Sequence, residues 1–145
     1  MHSLRFALPI IAAAGLSACS VSVFDDSPDG KAVFAAAHDR IQEGCNAKRD
    51  AGATSFVAAA LCANDITMKA FHDLDYAYPD LVAKLNAQRL LLAERADKKE
   101  ITPTVYRAEL LQDWSAAIRE ESLRIAPFGK NSGHTPLLGE AELFF

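Results

Sequence analysis

Three groupings in this sequence place residues of chemical use side by side: His72-Asp73-Leu74-Asp75 with Met68 four positions earlier, His38-Asp39, and the adjacent carboxylates Glu120-Glu121. An imidazole beside a carboxylate suits proton relay or metal ligation. A metal site, however, needs at least three converging ligands and outer partners that orient them. No third ligand accompanies His72, so it reads as a helix-end residue. His38 and Asp39 are sequence neighbours, which diverge on a helix rather than converge. Glycoside chemistry needs two carboxylates facing each other across a bond, and Glu120-Glu121 lacks that opposition, so the pair reads as a solvated face. A GxSxG nucleophile turn is absent from the sequence. These residues therefore assign no catalytic, cofactor-binding or metal-ligating position.

The elements that must position these residues are helical throughout. Residues 31–49 predict a helix with Phe34, Ile41 and Cys45 on one face and Ala37 and His38 filling it, weakened at Gly44. Asp50-Ala51-Gly52-Ala53 breaks it. Thr54 then offers an N-cap for a short apolar helix over 55–63, and Asn64 or Asp65 one for a third over 66–74. Pro79 suits the first position of the next helix, over 80–99. Its stripe is Leu81, Leu85, Leu92 and Ala96, with Val82 and Ala93 alongside. Thr102 and Pro103 start a last helix to residue 125, whose seam is Ala108, Leu111, Ser115, Ile118, Ser122 and Ile125, flanked by Leu110 and Trp114. A short link makes the last two helices antiparallel neighbours. The expectation is an all-α fold: a small bundle built on a long helical hairpin, with two N-terminal helices packed on it.

The N-terminus carries a different kind of signal. One Arg in residues 1–5 precedes an apolar run over 6–15, which ends at Leu16-Ser17-Ala18-Cys19. A membrane span needs about 20 apolar residues, and this run is too short. Leu-Ser-Ala-Cys after such a run resembles the lipobox of bacterial lipoproteins. That resemblance covers residues 1–19. It implies cleavage before Cys19, acylation of the Cys19 thiol and, commonly, of the new amine. Two or three acyl chains hold a protein on a bilayer effectively permanently. Ser20 does not resemble the Asp that retains lipoproteins at an inner membrane. The implied place is therefore the periplasmic face of an outer membrane, if the source has two membranes. With Cys19 lipidated, Cys45 and Cys62 remain, and an even remainder in an oxidising compartment reads as one disulfide. Such a bridge would staple the two N-terminal helices.

The domain plan follows: a cleaved signal at 1–18, an acylated tether at 19–30, a helical domain at 31–126 and a disordered tail at 127–145, rich in Gly, Pro and polar residues. Removing residues 1–18, with their single Arg, leaves 127 residues carrying 14 Lys+Arg against 19 Asp+Glu, a balance of −5. No basic stripe exists to neutralise phosphates, which argues against nucleic acid as a partner. Tyr76, Tyr78 and Trp114 are amphipathic aromatics of the kind found at interface hot spots, or else they close the ends of the core with polar tips in water. The terminal Leu143-Phe144-Phe145 offers a C-terminal peptide for capture, or packs back on its own helices. The functional expectation is a lipid-anchored envelope protein with a non-catalytic binding or structural role and an envelope protein as partner. The other reading is a small carrier or sensor with an apolar ligand between its helices.

Overall fold

The computed structural model describes residues 28–128 and 137–141. The expected signal peptide, Cys19, most of the expected tether and Leu143-Phe144-Phe145 lie outside the described residues. The fold is all-α, with no strand among the described residues. Helix α1 (Pro28–Arg40) runs into a π-helical segment, Ile41–Asn46, and then α2 (Ala47–Asp50). Phe34, Ala37, Ile41 and Cys45 are buried along it, as the periodicity predicts. The chain stops at a Schellman turn: Ala53 N–H donates to Lys48 O (2.8 Å) and Gly52 N–H to Arg49 O (2.9 Å). Gly52 takes φ +69° there, a conformation that costs glycine little.

Helix α3 is continuous from Phe56 to Asp73, in place of the two short helices that Asn64 and Asp65 suggested. The reason is where Asn64 spends its side chain. Its Nδ2 donates to Asn86 O (3.0 Å) and its Oδ1 accepts from Arg89 Nη1 (2.9 Å), so it bonds a neighbouring helix instead of capping its own. The N-cap is Ser55 rather than Thr54; its Oγ accepts from Ala58 N–H at 3.0 Å. Asp97 adds a second cap from a distance, accepting from Phe56 N–H (2.8 Å) and Val57 N–H (3.0 Å). That carboxylate ties the start of α3 to the end of α4 (Pro79–Asp97).

Helices α4 and α5 (Pro103–Ile125) form the expected hairpin. Ion pairs Asp80–Arg124, Lys84–Glu120 and Arg95–Glu109 climb it with falling numbers on one side and rising numbers on the other, the signature of antiparallel packing. The α4 stripe is buried as predicted, from Leu81 to Ala96. The α5 seam is not. Its buried residues are Tyr106, Leu110, Trp114, Ala117 and Glu121, whereas Leu111, Ser115 and Ser122 face solvent. The rotation follows the larger apolar area: burying Tyr, Leu and Trp outweighs burying Ala and Ser. Ser115 and Ser122 instead donate back to Leu111 O and Ile118 O, each at 2.9 Å.

A three-residue 3₁₀ turn, Ala126–Phe128, ends α5. The expectation of disorder over 127–145 fails at residues 137–141. Helix α6 (Leu137–Glu140) and Ala141 lie against the bundle, with Leu137, Leu138 and Ala141 buried. One helical turn has no stability of its own, so tertiary contacts hold it. The core has two apolar clusters. One gathers Phe34, Phe71, Leu81, Trp114 and Leu138; the other gathers Ala60, Leu92, Ala93, Tyr106 and Leu110. On α4, Asn86 and Arg89 fall between Leu85 of the first cluster and Leu92 of the second, and Asn64 and Thr67 of α3 meet them there to form a polar layer.

Candidate functional site

Arg89 is the centre of the polar layer and only 3% exposed. It occupies the place in the α4 stripe between Leu85 and Leu92, where an apolar residue would extend the core. Arg89 Nη1 donates to Asn64 Oδ1 (2.9 Å) and, more weakly, to Thr67 Oγ1 (3.4 Å), both neutral acceptors. Burial brings its guanidinium down to about 10, still fully charged at neutral pH. Beside it is a cavity of about 60 Å³, lined by the π-helical residues Ile41, Gln42 and Asn46, by Arg49 and Asp50 of α2, and by Arg107 and Tyr106 of α5. Asn46 Nδ2 donates to Gln42 Oε1 at 3.2 Å on this wall.

Two features fix the cavity's walls. The disulfide joins Cys45 in the π-helical segment to Cys62 on α3, with Cα atoms 5.8 Å apart. The predicted staple is thus present and ties the π-helical segment to α3, whose Ala59, Ala60 and Ala63 also line the cavity. Arg49 is held by Asp50, with Nε to Oδ1 at 2.9 Å, and its guanidinium lies 5.3 Å from the Phe56 ring centroid. Phe56 in turn packs edge-on to Tyr106 at 5.2 Å. Burial raises the Tyr106 phenol, against the opposing charges of Arg89 and Arg49, so it stays a neutral hydroxyl. None of this cluster was singled out from the sequence. The available signal was an arginine at a core position of the strongest apolar stripe.

The sequence-predicted contact residues differ in exposure. Tyr76 and Tyr78 stand together, half-buried, with ring centroids 5.9 Å apart. Tyr76 borders a cleft of about 280 Å³ with Met68, Phe71, His72, Asp75, Pro79 and Val82. Arg124 lies 5.5 Å from the Tyr78 ring centroid. Trp114 lies in the apolar cluster on which both tyrosines pack and is 1% exposed, so it offers no surface to a partner. Its Nε1–H donates to Leu138 O at 3.0 Å, beneath the C-terminal segment.

Glu121 corrects another expectation. It is 1% exposed, not part of a solvated pair. Its Oε1 accepts from Tyr76 Oη (2.9 Å) and Leu137 N–H (3.0 Å), and its Oε2 from Leu138 N–H (3.0 Å). Burial raises its carboxyl above the usual range, against these three hydrogen bonds. Glu120, its neighbour, does face outward and pairs with Arg124 and Lys84. His72 is exposed at the end of α3, and Asp73 is held by Lys69 across one turn at 2.6 Å. Among the described residues no group of three or more His, Cys, Asp or Glu side chains is placed to hold a metal ion, and no helix is long and apolar enough to cross a membrane. In comparisons with known proteins, no family model, curated protein or solved structure matches this chain.

Proposed function

We propose that this is a lipid-anchored protein of the bacterial envelope whose helical domain has a non-catalytic binding or structural role beside the membrane. The observation that carries the reading is the Cys45–Cys62 bridge. Disulfides persist in oxidising compartments, and this one leaves Cys19 as the remaining thiol, in Leu-Ser-Ala-Cys. Helix α1 starts at Pro28, so the link from Cys19 extends at most about 30 Å. The domain therefore works close to the bilayer. The surface offered to an envelope protein is the Tyr76–Tyr78 corner, where half-buried Tyr76 borders an apolar cleft flanked by the exposed Met68. An apolar-ligand carrier is less well supported, because such pockets are lined mostly by apolar side chains, whereas the space of about 520 Å³ between α4 and α5 is lined mainly by charged and amide residues such as Glu94, Arg95, Lys98, Glu109 and Asp113, and the Arg89 cavity is about 60 Å³.

Intact mass of the detergent-extracted chain, with and without reductant and alkylation, tests the anchor. An acylated mass from Cys19 with no free thiol supports the reading; an unlipidated mass refutes it. Crosslinking in cells tests the surface. One defined partner should be lost on Tyr78→Ala while the helical content is kept, and retention of every crosslink would remove the corner as the contact.

A further inference from the structure

We infer that the cavity at Arg89 binds a small oxyanion, a phosphate or carboxylate group. Three arginines, Arg49, Arg89 and Arg107, line one space of about 60 Å³, and the single carboxylate residue among the lining residues is Asp50. The lining thus carries a net +2 in a chain whose net charge is −4. Like charges gathered around a small cavity repel one another. An anion within it would relieve that repulsion.

The remaining polar lining suits the same guest. Gln42 and Asn46 carry amide N–H groups, and Tyr106 a hydroxyl kept neutral by burial. Each can donate to an oxyanion oxygen. Asp50 does not oppose this as a free charge, because both Arg49 Nε and Nη2 hold its Oδ1 at 2.9 Å. Guanidinium groups also match the planar, two-oxygen edge of carboxylate and phosphate better than ammonium groups do.

Size and backbone agree with charge. One water occupies about 10–15 Å³ on this measure, so the cavity admits a group of about four or five heavy atoms. That is one carboxylate or phosphate group, carried alone or at the end of a larger molecule that leaves past the exposed Arg107. The wall bearing Gln42 and Asn46 is the π-helical segment itself. Single π turns within α-helices are frequent at functional sites, where the wider turn re-aims side chains. Here the wider turn sets Gln42 and Asn46 on the cavity, and the disulfide prevents the segment from sliding. The site does not depend on the membrane anchor.

The test uses the full chain in non-ionic detergent at neutral pH, titrated with inorganic phosphate, glycerol phosphate and acetate against sodium chloride of equal ionic strength. Calorimetry and thermal melts read binding. The expected result is saturable binding of phosphate or acetate and a raised melting midpoint that chloride does not reproduce. Arg107→Ala, at the exposed rim, should keep the unliganded midpoint and bind about tenfold more weakly. Arg49→Met tests the inner wall in the same way. Preference for glycerol phosphate over the free ion identifies a phosphate ester as guest; preference for acetate identifies a carboxylate. Absence of saturable binding to all three, or Arg107→Ala and Arg49→Met titrating like the parent, overturns the proposal.

Discussion

Replacing Glu121 by Gln keeps the volume of a side chain that is 1% exposed but removes an acceptor where three donors converge. In the parent, Leu137 N–H and Tyr76 Oη donate to one carboxylate oxygen and Leu138 N–H to the other. Gln has one carbonyl oxygen and an NH₂ that donates. A protonated carboxyl would still present lone pairs on both oxygens, but the amide nitrogen presents none. One backbone N–H of the C-terminal segment is therefore orphaned, whichever way the amide is turned. An unsatisfied buried donor costs about 1–3 kcal/mol. A loss near 2 kcal/mol shifts the equilibrium between docked and released segment by about thirtyfold.

The readout is built into the molecule. Trp114 is the single tryptophan of the chain, and its Nε1–H is bonded beneath Leu138 at 3.0 Å. Release of Leu137–Ala141 exposes the indole to water, so Glu121→Gln should shift its emission to the red at temperatures far below global unfolding. Hydrogen exchange at Leu137 and Leu138 should rise in parallel. Tyr76→Phe removes one donor and leaves both backbone bonds, and should leave the emission in place. An unchanged emission maximum in Glu121→Gln, with a stability within about 0.5 kcal/mol of the parent, would refute the idea that this carboxylate holds the segment.

Three further outcomes follow from other parts of the fold. Cys45→Ser with Cys62→Ser opens a bridge between residues 17 apart, and urea unfolding should show a loss of about 3 kcal/mol, the figure for a loop of this size. Lys99 closes the C-terminus of α4 at φ +60° without being glycine. Lys99→Gly removes a left-handed penalty of about 1–2 kcal/mol against some loss of chain entropy, for a net gain of about 0.5–1 kcal/mol in the same assay. Because the Glu121 carboxyl is raised, the folded chain holds that proton more tightly than the unfolded chain. Its contribution is present below the ordinary glutamate range and is lost as pH climbs through the raised value. Urea midpoints measured across that window should decline in the parent and lose that slope in Glu121→Gln.

What was legible in the sequence was whatever follows from apolar spacing and turn chemistry. The stripes on α1 and α4 are such cases, and so is the hairpin begun by Thr102 and Pro103, where Val105 N–H donates to Thr102 Oγ1 at 3.2 Å. What misled were polar residues used at long range. Asn64 looked like a cap and is a bridge to α4. Glu121 looked like half of a solvated pair and binds backbone sixteen and seventeen residues away. The α5 seam went astray for the same reason, since the true face ends on that glutamate and the face of small residues looked more apolar at that end. The tail over 137–141 has the composition of a loop, and its order comes from a partner site on α5 that local composition does not encode. The candidate site was least legible, because it needs Arg49, Arg89 and Arg107 from three helices.

Among the described residues, two buried charged side chains mark the places where this core departs from the apolar pattern around it. Arg89 and Glu121 have opposite signs, yet Arg89 reaches into the α3 side chains and Glu121 into the backbone of the C-terminal segment. An ion withdrawn from water costs several kcal/mol unless its surroundings answer it. Glu121 is answered by three donors, two of them from a segment that would not fold alone, so its role is to hold that segment over Trp114. Arg89 donates to neutral oxygens of α3 and also lines a cavity that it shares with Arg49 and Arg107. For stability alone, an apolar residue between Leu85 and Leu92 would serve that position better. The fold keeps a cation there, walls it with a π-helical turn and braces the turn with a disulfide, which is the arrangement of a site built for an anion rather than of a core built only to be stable.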